Sequence, residues 1–265
     1  MSDINNINQI NSSLSNWRIE TDDSNICWLH FDTPEASANL LSQTAIRELD
    51  EALQALEKAP PQAIVILSDK NDGFIFGADI KEFTTLENIE LAKAFLQNGH
   101  KLMNRLEAMP CPTVSMIHGM CLGGGTELSL ACDYIIATDH KKTRIGLPEI
   151  KLGIFPGYGG TARSIERCGP LAAMNMMLTG RALTARAAKK VHLIDEMVPQ
   201  RQLRAAAEHY ALTAPKRRKL PLLTRLTNNA LLRPLIASQM RKPVSYTHLR
   251  AHETLRSISY AVFCL

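Results

Sequence analysis

Apolar residues along this chain follow two alternating patterns. Short continuous apolar runs bounded by turn residues, such as Ala63–Ser68 and Thr113–Ile117, predict strands that are covered on both faces. Longer segments with apolar residues at helical spacing, at 41–58 and 86–109, predict amphipathic helices that end just before prolines. Further helices are predicted at 161–168, 171–178, 184–190 and 201–214. Strands that alternate with helices predict an α/β fold.

The stretch from residue 114 to residue 160 combines a predicted strand, a glycine turn and a predicted helix. Gly123, Gly124 and Gly125 form the turn, Glu127 falls in the first helical turn, and a second carboxylate follows at Glu149. Such a joint leaves backbone N–H groups free at the helix start, and two nearby carboxylates suit an acid/base site with an oxyanion holder. The simpler alternative is a tight strand-to-helix joint whose glutamate favours the helix dipole. The spacing does not decide whether the two glutamates face each other.

A second group of backbone donors is expected at Phe76-Gly77-Ala78-Asp79. Gly77 relaxes the backbone there, and we expect the N–H of Ala78 and that of Gly124 to bind one carbonyl oxygen from two sides. A thioester fits this arrangement, because its α-proton is acidic enough to pass through an enolate.

Several other motifs are interpreted as structural. Residues 157–162 fit G-x-G-x-x-A, but no Asp or Glu occurs between Glu166 and Asp195, so a glycine-rich wall on the active-site loop is favoured over a dinucleotide site. His118 is interpreted as a structural histidine with satisfied hydrogen bonds, and Cys121 as a small apolar core residue. Ser129 lacks the G-x-S-x-G motif of a nucleophile, and Asp133 is interpreted as a brace of the helix-to-strand joint.

Composition narrows the function classes. The chain has a net charge of +4, 45% hydrophobic residues and six cysteines without a C-x-x-C pair or zinc spacing. These features predict no metal site and a cytoplasmic protein with reduced thiols. The basic runs at 215–219 and 241–242 lack interleaved aromatic residues, so no nucleic-acid partner is expected. No apolar run reaches membrane-spanning length, and the polar first residues do not resemble a signal peptide.

Three spaced segments, FIFGADIKEF, HGMCLGGGTELSLACDY and GLPEIKLGIFPGYGGTAR, resemble the signatures of the crotonase, or enoyl-CoA hydratase/isomerase, superfamily. The resemblance covers residues 17–214. More narrowly, the chain resembles the amino-terminal hydratase part of the multifunctional fatty-acid oxidation complex α-subunit. The resemblance implies a spiral of strand-strand-helix turns with carboxy-terminal helices.

The resemblance also implies roles for individual residues. Ala78 and Gly124 match the backbone donors that hold the thioester oxygen, Glu127 matches the glutamate that activates water, and Glu149 matches the one that exchanges a proton with the α-carbon. Lys81 matches a position near the coenzyme A phosphates, and Gly77 and Gly123 are further substrate-binding candidates. The implied activity is hydration of trans-2-enoyl-CoA in fatty-acid β-oxidation, with 3-enoyl to 2-enoyl isomerisation as a second activity. The alternatives are an isomerase or thioesterase of the same superfamily, or a non-catalytic fragment that binds acyl-CoA or docks on a thiolase.

The predicted organisation has four parts. Residues 1–15 are expected to be a flexible terminus, 16–200 the hydratase/isomerase core, and 201–243 a helical extension that would lead to a missing dehydrogenase. Residues 244–265 resemble the translated read-through of cloning DNA and are expected to be non-native. We expect acyl-CoA as substrate, no cofactor and no NAD in this chain. The expected protein partners are a thiolase β-subunit or further copies of the chain.

Overall fold

The computed structural model describes residues 10–83, 88–216 and 220–227. Its strands are β1 (Trp17–Thr21), β2 (Ile26–Phe31), β3 (Ala63–Ser68), β4 (Gly73–Ile75), β5 (Thr113–Ile117), β6 (Met120–Leu122), β7 (Tyr134–Thr138), β8 (Arg144–Gly146), β9 (Leu183–Thr184) and β10 (Glu196–Val198). Its helices are α1 (Gln43–Lys58), α2 (Ile80–Phe83), α3 (Ile89–Glu107), α4 (Gly124–Ala131), α5 (Gly160–Cys168), α6 (Pro170–Thr179), α7 (Ala185–Lys190), α8 (Leu203–Thr213) and α9 (Leu222–Thr227), with 3₁₀ turns at Glu149–Leu152 and Gln200–Gln202.

The strands form two sheets that the chain visits in alternation. One sheet has the order β1-β2-β3-β5-β7-β10, and the other has the order β4-β6-β8-β9. From β3 onward, each turn of the chain adds one strand to each sheet and then a helical segment: β3-β4-α3, β5-β6-α4, and β7-β8 followed by a 3₁₀ turn and α5. Neighbouring strands of successive turns pair in parallel. The predicted α/β spiral of strand-strand-helix turns is confirmed.

The helix boundaries follow local capping. Helix α1 begins at Gln43, because the Ser42 side chain accepts a hydrogen bond from Ala45 N, whereas the sequence pattern predicted a start at residue 41. Leu41 instead forms a β-bridge with Ala78. Helix α3 begins at Ile89 after the Asn88 cap and ends at Glu107, inside the predicted range 86–109. The first residues of that predicted helix, 86 and 87, lie outside the described residues.

The core is buried between the sheets and their helices. Strands β2 and β3 are buried at every position, as continuous apolar runs predict. Helix α8 covers the outer face of the first sheet with Leu203, Ala207 and Ala211, which confirms the helix predicted at 201–214. In the described part of the chain, no helix combines the length and apolar character needed to cross a membrane.

Part of the predicted amino-terminal segment contacts the core. Residues 10–13 form a helical turn, and the Asn11 side chain exchanges two hydrogen bonds with the backbone of Ile19. Ser15 donates to Glu48 over 2.6 Å. These bonds connect residues 10–15 to the core. Residues 1–9, the end of the predicted extension at 228–243 and the predicted tail at 244–265 lie outside the described residues.

Candidate active site

Helix α4 begins at a sharp turn directly after strand β6. Gly123 makes this turn with φ +51°, a conformation that side chains rarely adopt. The first intrahelical bond runs from Glu127 N to Gly123 O over 3.0 Å. The N–H of Gly124 therefore lies ahead of the helical hydrogen-bond ladder, where it is available to a ligand.

The second expected donor, Ala78, is presented by a bridge to Leu41. Leu41 N donates to Gly77 O over 2.8 Å, and Asp79 N donates to Leu41 O over 3.3 Å. Because alternate N–H groups point to opposite sides of an extended segment, the N–H of Ala78 points away from Leu41. A Cβ built on Gly124 would lie 3.5 Å from Ala78 N, so the two predicted donors border one small space.

Glu127 is buried and fixed by the loop that precedes α5. The residue is only 2% exposed to solvent. Oε1 accepts hydrogen bonds from Tyr158 N over 2.7 Å and from Gly160 N over 2.8 Å. Burial raises the pKa of Glu127 to about 7, while these backbone N–H groups and the charge of Arg163 act in the opposite direction. A carboxylate with a pKa near neutrality suits a general base.

Glu149 approaches the same space from the 3₁₀ turn after strand β8. The end of β8 is tied to α4, because Gly123 N donates to Gly146 O and Thr126 Oγ1 donates to the same oxygen, each over 2.9 Å. A Cβ built on Gly123 would lie 3.3 Å from Glu149 Oε1. The turn therefore directs the Glu149 carboxylate toward the start of α4.

The residue Glu149 is only 8% exposed. Neither oxygen of its carboxyl group has a hydrogen-bond partner among the described residues. Burial, followed by the negative charge of Glu127, raises the pKa of Glu149 to about 8. The two carboxylates are therefore close enough to interact electrostatically. A buried carboxyl group that stays protonated near neutral pH suits a general acid.

The structure brings most of the sequence-predicted site residues together. These are Gly77, Ala78, Gly123, Gly124, Glu127 and Glu149. Lys81 lies on the adjoining helix α2 and is exposed, and its backbone N–H donates to Asp79 Oδ1 over 3.0 Å. Its side chain thus lies at the surface beside the segment that carries Ala78.

The groups that hold Glu127 were not among the residues predicted from the sequence. The motif at 157–162 predicted a glycine-rich wall, whereas the backbone N–H groups of Tyr158 and Gly160 donate directly to the Glu127 carboxylate. The Tyr158 ring also borders the site: a Cβ on Gly124 would lie 3.6 Å from its Cδ2. The Tyr158 hydroxyl is buried without a hydrogen-bond partner among the described residues, and burial raises its pKa. The glycines at 157–160 are the sequence feature that could have identified this loop. Their spacing alone did not indicate that the loop contacts Glu127.

The other candidates have the structural roles predicted for them. His118 Nε2 lies 2.5 Å from Lys70 O, and Ser129 Oγ lies 2.8 Å from Ser115 Oγ inside the core. Cys121 is fully buried, and burial raises the pKa of its thiol to about 11. Asp133 accepts a hydrogen bond from Thr113 N over 3.0 Å and so braces the start of β5.

A separate cavity of about 120 Å³ contains none of the predicted site residues. Its basic side chains are Arg163, Arg167, Lys189 and His192. Arg163 pairs with Glu107, Arg167 with Asp195 and Lys189 with Glu196. The cavity therefore lacks the arrangement of carboxylates and backbone donors found at the start of α4. Among residues 10–83, 88–216 and 220–227, no cluster of His, Cys, Asp and Glu could hold a metal ion.

Fold and site together define the chain as a crotonase-fold protein with a buried pair of glutamates. The chain belongs to the enoyl-CoA hydratase/isomerase family, whose model matches residues 21–241. It is similar to the fatty acid oxidation complex subunit alpha of Aliivibrio fischeri, with 40% identity over 83% of this chain and 33% of that protein. The same subunit of Shewanella putrefaciens is 40% identical over 79% of this chain and 30% of that protein.

The chain spans about a third of the length of these curated relatives. Among solved structures, the enoyl-CoA hydratase of Bacillus anthracis is 28% identical, with a TM-score of 0.69 over 92% of this chain and 95% of that chain. An enoyl-CoA hydratase/isomerase from Xanthobacter autotrophicus Py2 is 27% identical, with a TM-score of 0.68 over 88% of this chain. The similarity thus covers the spiral core of the chain.

Proposed function

We propose that this chain adds water across the C2–C3 double bond of a trans-2-enoyl-CoA thioester and so forms a 3-hydroxyacyl-CoA. The observation that carries this proposal is that Glu127 and Glu149 lie close enough for their charges to interact, beside the backbone donors of Ala78 and Gly124. A reaction that adds a hydroxide and a proton to neighbouring carbons needs one base, one acid and a holder for the charge that develops between them.

The reaction balances with these four groups alone. Ionised Glu127 takes a proton from water while the water oxygen bonds to C3. The electrons of the double bond move onto the thioester oxygen, which the N–H groups of Ala78 and Gly124 stabilise. Protonated Glu149 then donates its proton to C2, and transfer of the proton from Glu127 to Glu149 through solvent restores the starting state.

The hydrogen bonds around the two glutamates support this division of roles. Burial raises the pKa of both carboxyl groups. Glu127 accepts two backbone hydrogen bonds, which favour its ionised form, whereas Glu149 has no hydrogen-bond partner among the described residues. Glu127 therefore ionises more readily than Glu149, as the hydration step requires.

A direct assay tests the proposal. The purified chain is mixed with crotonyl-CoA and with a longer trans-2-enoyl-CoA, and the loss of the conjugated thioester absorbance is followed. Mass analysis should show a product heavier by one water. Release of free coenzyme A would support a thioesterase instead, and tight binding of acyl-CoA without turnover by folded protein would support a non-catalytic fragment.

Isomerisation of 3-enoyl-CoA to 2-enoyl-CoA is a second candidate activity, and Glu149 is the residue that favours it. Its unpaired carboxyl group can remove a proton from C2 when ionised and return it at C4, without the addition of water. The same backbone donors would hold the enolate. Incubation with a 3-enoyl-CoA, with product separation by chromatography, distinguishes the isomerised 2-enoyl-CoA from the hydrated product.

The remaining substrate contacts are proposed on position. Gly77 and Gly123 let the backbone approach the thioester, since a Cβ on Gly123 would lie 3.6 Å from Gly77 Cα. Exposed Lys81 would bind the coenzyme A phosphates. Replacement of Lys81 by Glu should raise KM for an enoyl-CoA but not for the matching N-acetylcysteamine thioester, which has no phosphates.

Partners and location also remain proposals. The curated relatives are named as subunits of a fatty acid oxidation complex, which supports assembly of this chain with a thiolase β-subunit or with further copies of itself. Five cysteines in the described part of the chain are buried thiols, which supports a reducing compartment such as the cytoplasm. Mixing with a bacterial thiolase subunit, followed by size-exclusion chromatography with light scattering, tests the partner.

A further inference from the structure

Arg163 on helix α5 has an almost fully buried guanidinium group. The residue is 8% exposed, and its Nε and Nη2 both donate to Glu107 Oε2 on helix α3, over 3.1 and 2.7 Å. Nη2 also donates to Asn104 Oδ1 over 2.7 Å. A buried guanidinium with this many hydrogen bonds is held in one orientation, because its planar fork fixes the geometry of each bond.

The remaining bond of Arg163 reaches the loop that holds Glu127. Nη1 donates to the carbonyl oxygen of Tyr158 over 3.1 Å, and the N–H of the same Tyr158 donates to Glu127 Oε1. A Cβ on Gly159 would collide with Arg163 Nη1, so the guanidinium lies directly against the loop. The backbone of Tyr158 therefore connects the guanidinium of Arg163 to the carboxylate of Glu127.

The other cations on the helices packed against α4 are exposed or paired elsewhere. Lys93 and Lys101 are exposed, Arg105 pairs with Asp50 and Glu57, and Arg167 pairs with Asp195. Glu149 and Glu107 are acidic, and burial together with the charge of Arg163 lowers the pKa of His100, which favours its neutral form. Strands β4, β6 and β7, which also contact α4, carry no charged residue. Their titratable side chains are Cys121 and Tyr134. Arg163 is the cation whose charge lowers the pKa of Glu127.

We infer that Arg163 is a positioning residue for Glu127: it anchors the loop at 157–160 through the Tyr158 carbonyl and places a permanent positive charge behind the carboxylate. The inference rests on the proposed function for its effect on turnover. The anchoring and the charge are properties of the protein without substrate. They are therefore measurable independently of any reaction.

The test compares four substitutions in the full chain. Arg163→Gln removes the charge, and Arg163→Lys keeps the charge but loses the fork. Glu107→Gln removes the anion that partly offsets Arg163. Arg167→Gln is the matched control. Arg167 lies one turn further along the same helix, and its side chain is also buried in an ion pair, with Asp195. It donates to Asp133 O and Leu193 O and not to the loop that holds Glu127.

Two readouts are used for each variant. The first is the pH dependence of kcat/KM with crotonyl-CoA. The second is the titration of the Glu127 carboxyl group by carbon-13 NMR in protein labelled at the glutamate side chain, with the resonance assigned by its absence in Glu127→Gln. Folding is checked by circular dichroism and thermal unfolding.

The expected shifts have opposite signs. Arg163→Gln should raise the Glu127 midpoint by about half to one pH unit, because removal of a nearby cation disfavours the carboxylate. The acid limb of the rate profile should move with it. Arg163→Lys should restore most of the midpoint but only part of kcat, and Glu107→Gln should lower the midpoint. Arg167→Gln should lose stability and leave the Glu127 midpoint in place.

An unshifted Glu127 midpoint in folded Arg163→Gln would overturn the inference, as would an equal shift in Arg167→Gln. If Arg163→Gln does not fold, an upward or absent shift in Glu107→Gln overturns it instead. The NMR readout also separates two failures. An inactive wild type with a shifted midpoint in Arg163→Gln refutes the hydratase proposal alone, whereas an active wild type with an unshifted midpoint refutes the role of Arg163 alone.

Discussion

The backbone N–H of Gly160 donates to Oε1 of Glu127 over 2.8 Å, so the first residue of helix α5 fixes a carboxylate that belongs to helix α4. The carboxylate therefore lies in front of the amino terminus of α5, where free N–H groups and the helix dipole favour a negative charge. This contact opposes the cost of burial and helps Glu127 to remain a base near neutral pH.

The first prediction concerns the space at Gly160. A Cβ there would lie 2.6 Å from Glu127 Cγ and 2.9 Å from Oε1, so Gly160→Ala should displace the carboxylate. We expect kcat for crotonyl-CoA hydration to fall about 100-fold. The matched control is Gly157→Ala in the same loop, whose Cβ would meet only the end of the flexible Leu96 side chain. Similar activities of the two variants would contradict the prediction.

The second prediction concerns the two glutamates. Glu127→Gln and Glu149→Gln should each lower kcat at least about 100-fold, which corresponds to about 2.7 kcal/mol of barrier. Glu48→Gln provides the control, because Glu48 is equally buried but binds the amino-terminal segment away from the site. Steady-state rates on crotonyl-CoA measure the effect. A rate near wild type in either site variant would refute the proposed reaction.

The third prediction concerns the proposed oxyanion site. In Gly124→Ala the new methyl group would lie 3.3 Å from Leu41 Cδ1 and 3.5 Å from Ala78 N, which is tight but possible with a small shift. The protein should fold, but the methyl group would enter the space of the thioester oxygen. We expect kcat/KM to fall about 100-fold with a change of only a few degrees in Tm. Full activity in this variant would place the thioester elsewhere.

The fourth prediction is a bell-shaped pH profile of kcat/KM. Activity should rise as Glu127 ionises through about pH 7 and fall as Glu149 loses its proton through about pH 8. Because the groups interact, the two limbs report the pair rather than either residue alone. Circular dichroism over the same pH range controls for unfolding. A flat profile across both values would contradict the assignment of acid and base.

The fifth prediction concerns stability. Because the pKa of Glu149 is raised from 4.5 to about 8 in the folded protein, its contribution is fully favourable below about pH 4.5 and is lost as the pH rises through about 8. Glu149→Gln does not ionise, so it should be more stable than wild type at about pH 9, by on the order of 5 kcal/mol. Urea unfolding at about pH 9 and about pH 5 measures this. The advantage should shrink at the lower pH, and equal stabilities at the higher pH would contradict the buried, unpaired state of the carboxyl group.

Much of the fold was predictable because its signals are local. The strand predicted at Thr113–Ile117 has the same first and last residues as β5. The helix predicted at 161–168 differs from α5 by one residue at its start. Continuous apolar runs and helical spacing identify which segments are covered on both faces and which on one. The helix predicted at 41–58 began two residues late because Leu41 pairs with Ala78, a contact between distant segments.

The sequence by itself determined the alternation of strands and helices typical of an α/β fold and the identities of the catalytic candidates, because periodicity, glycine turns and motif spacing are written in neighbouring residues. The spiral order followed from the resemblance of three spaced segments to a known family. Only the tertiary structure decided that Glu127 and Glu149 share one buried space, that Ala78 adjoins Gly124, and that Tyr158 and Gly160 hold Glu127. The physical reason is that these relations are set by sheet pairing and helix packing between segments far apart in the chain. The loss of water around the carboxylates, which raises each pKa, exists only once those segments have closed around them.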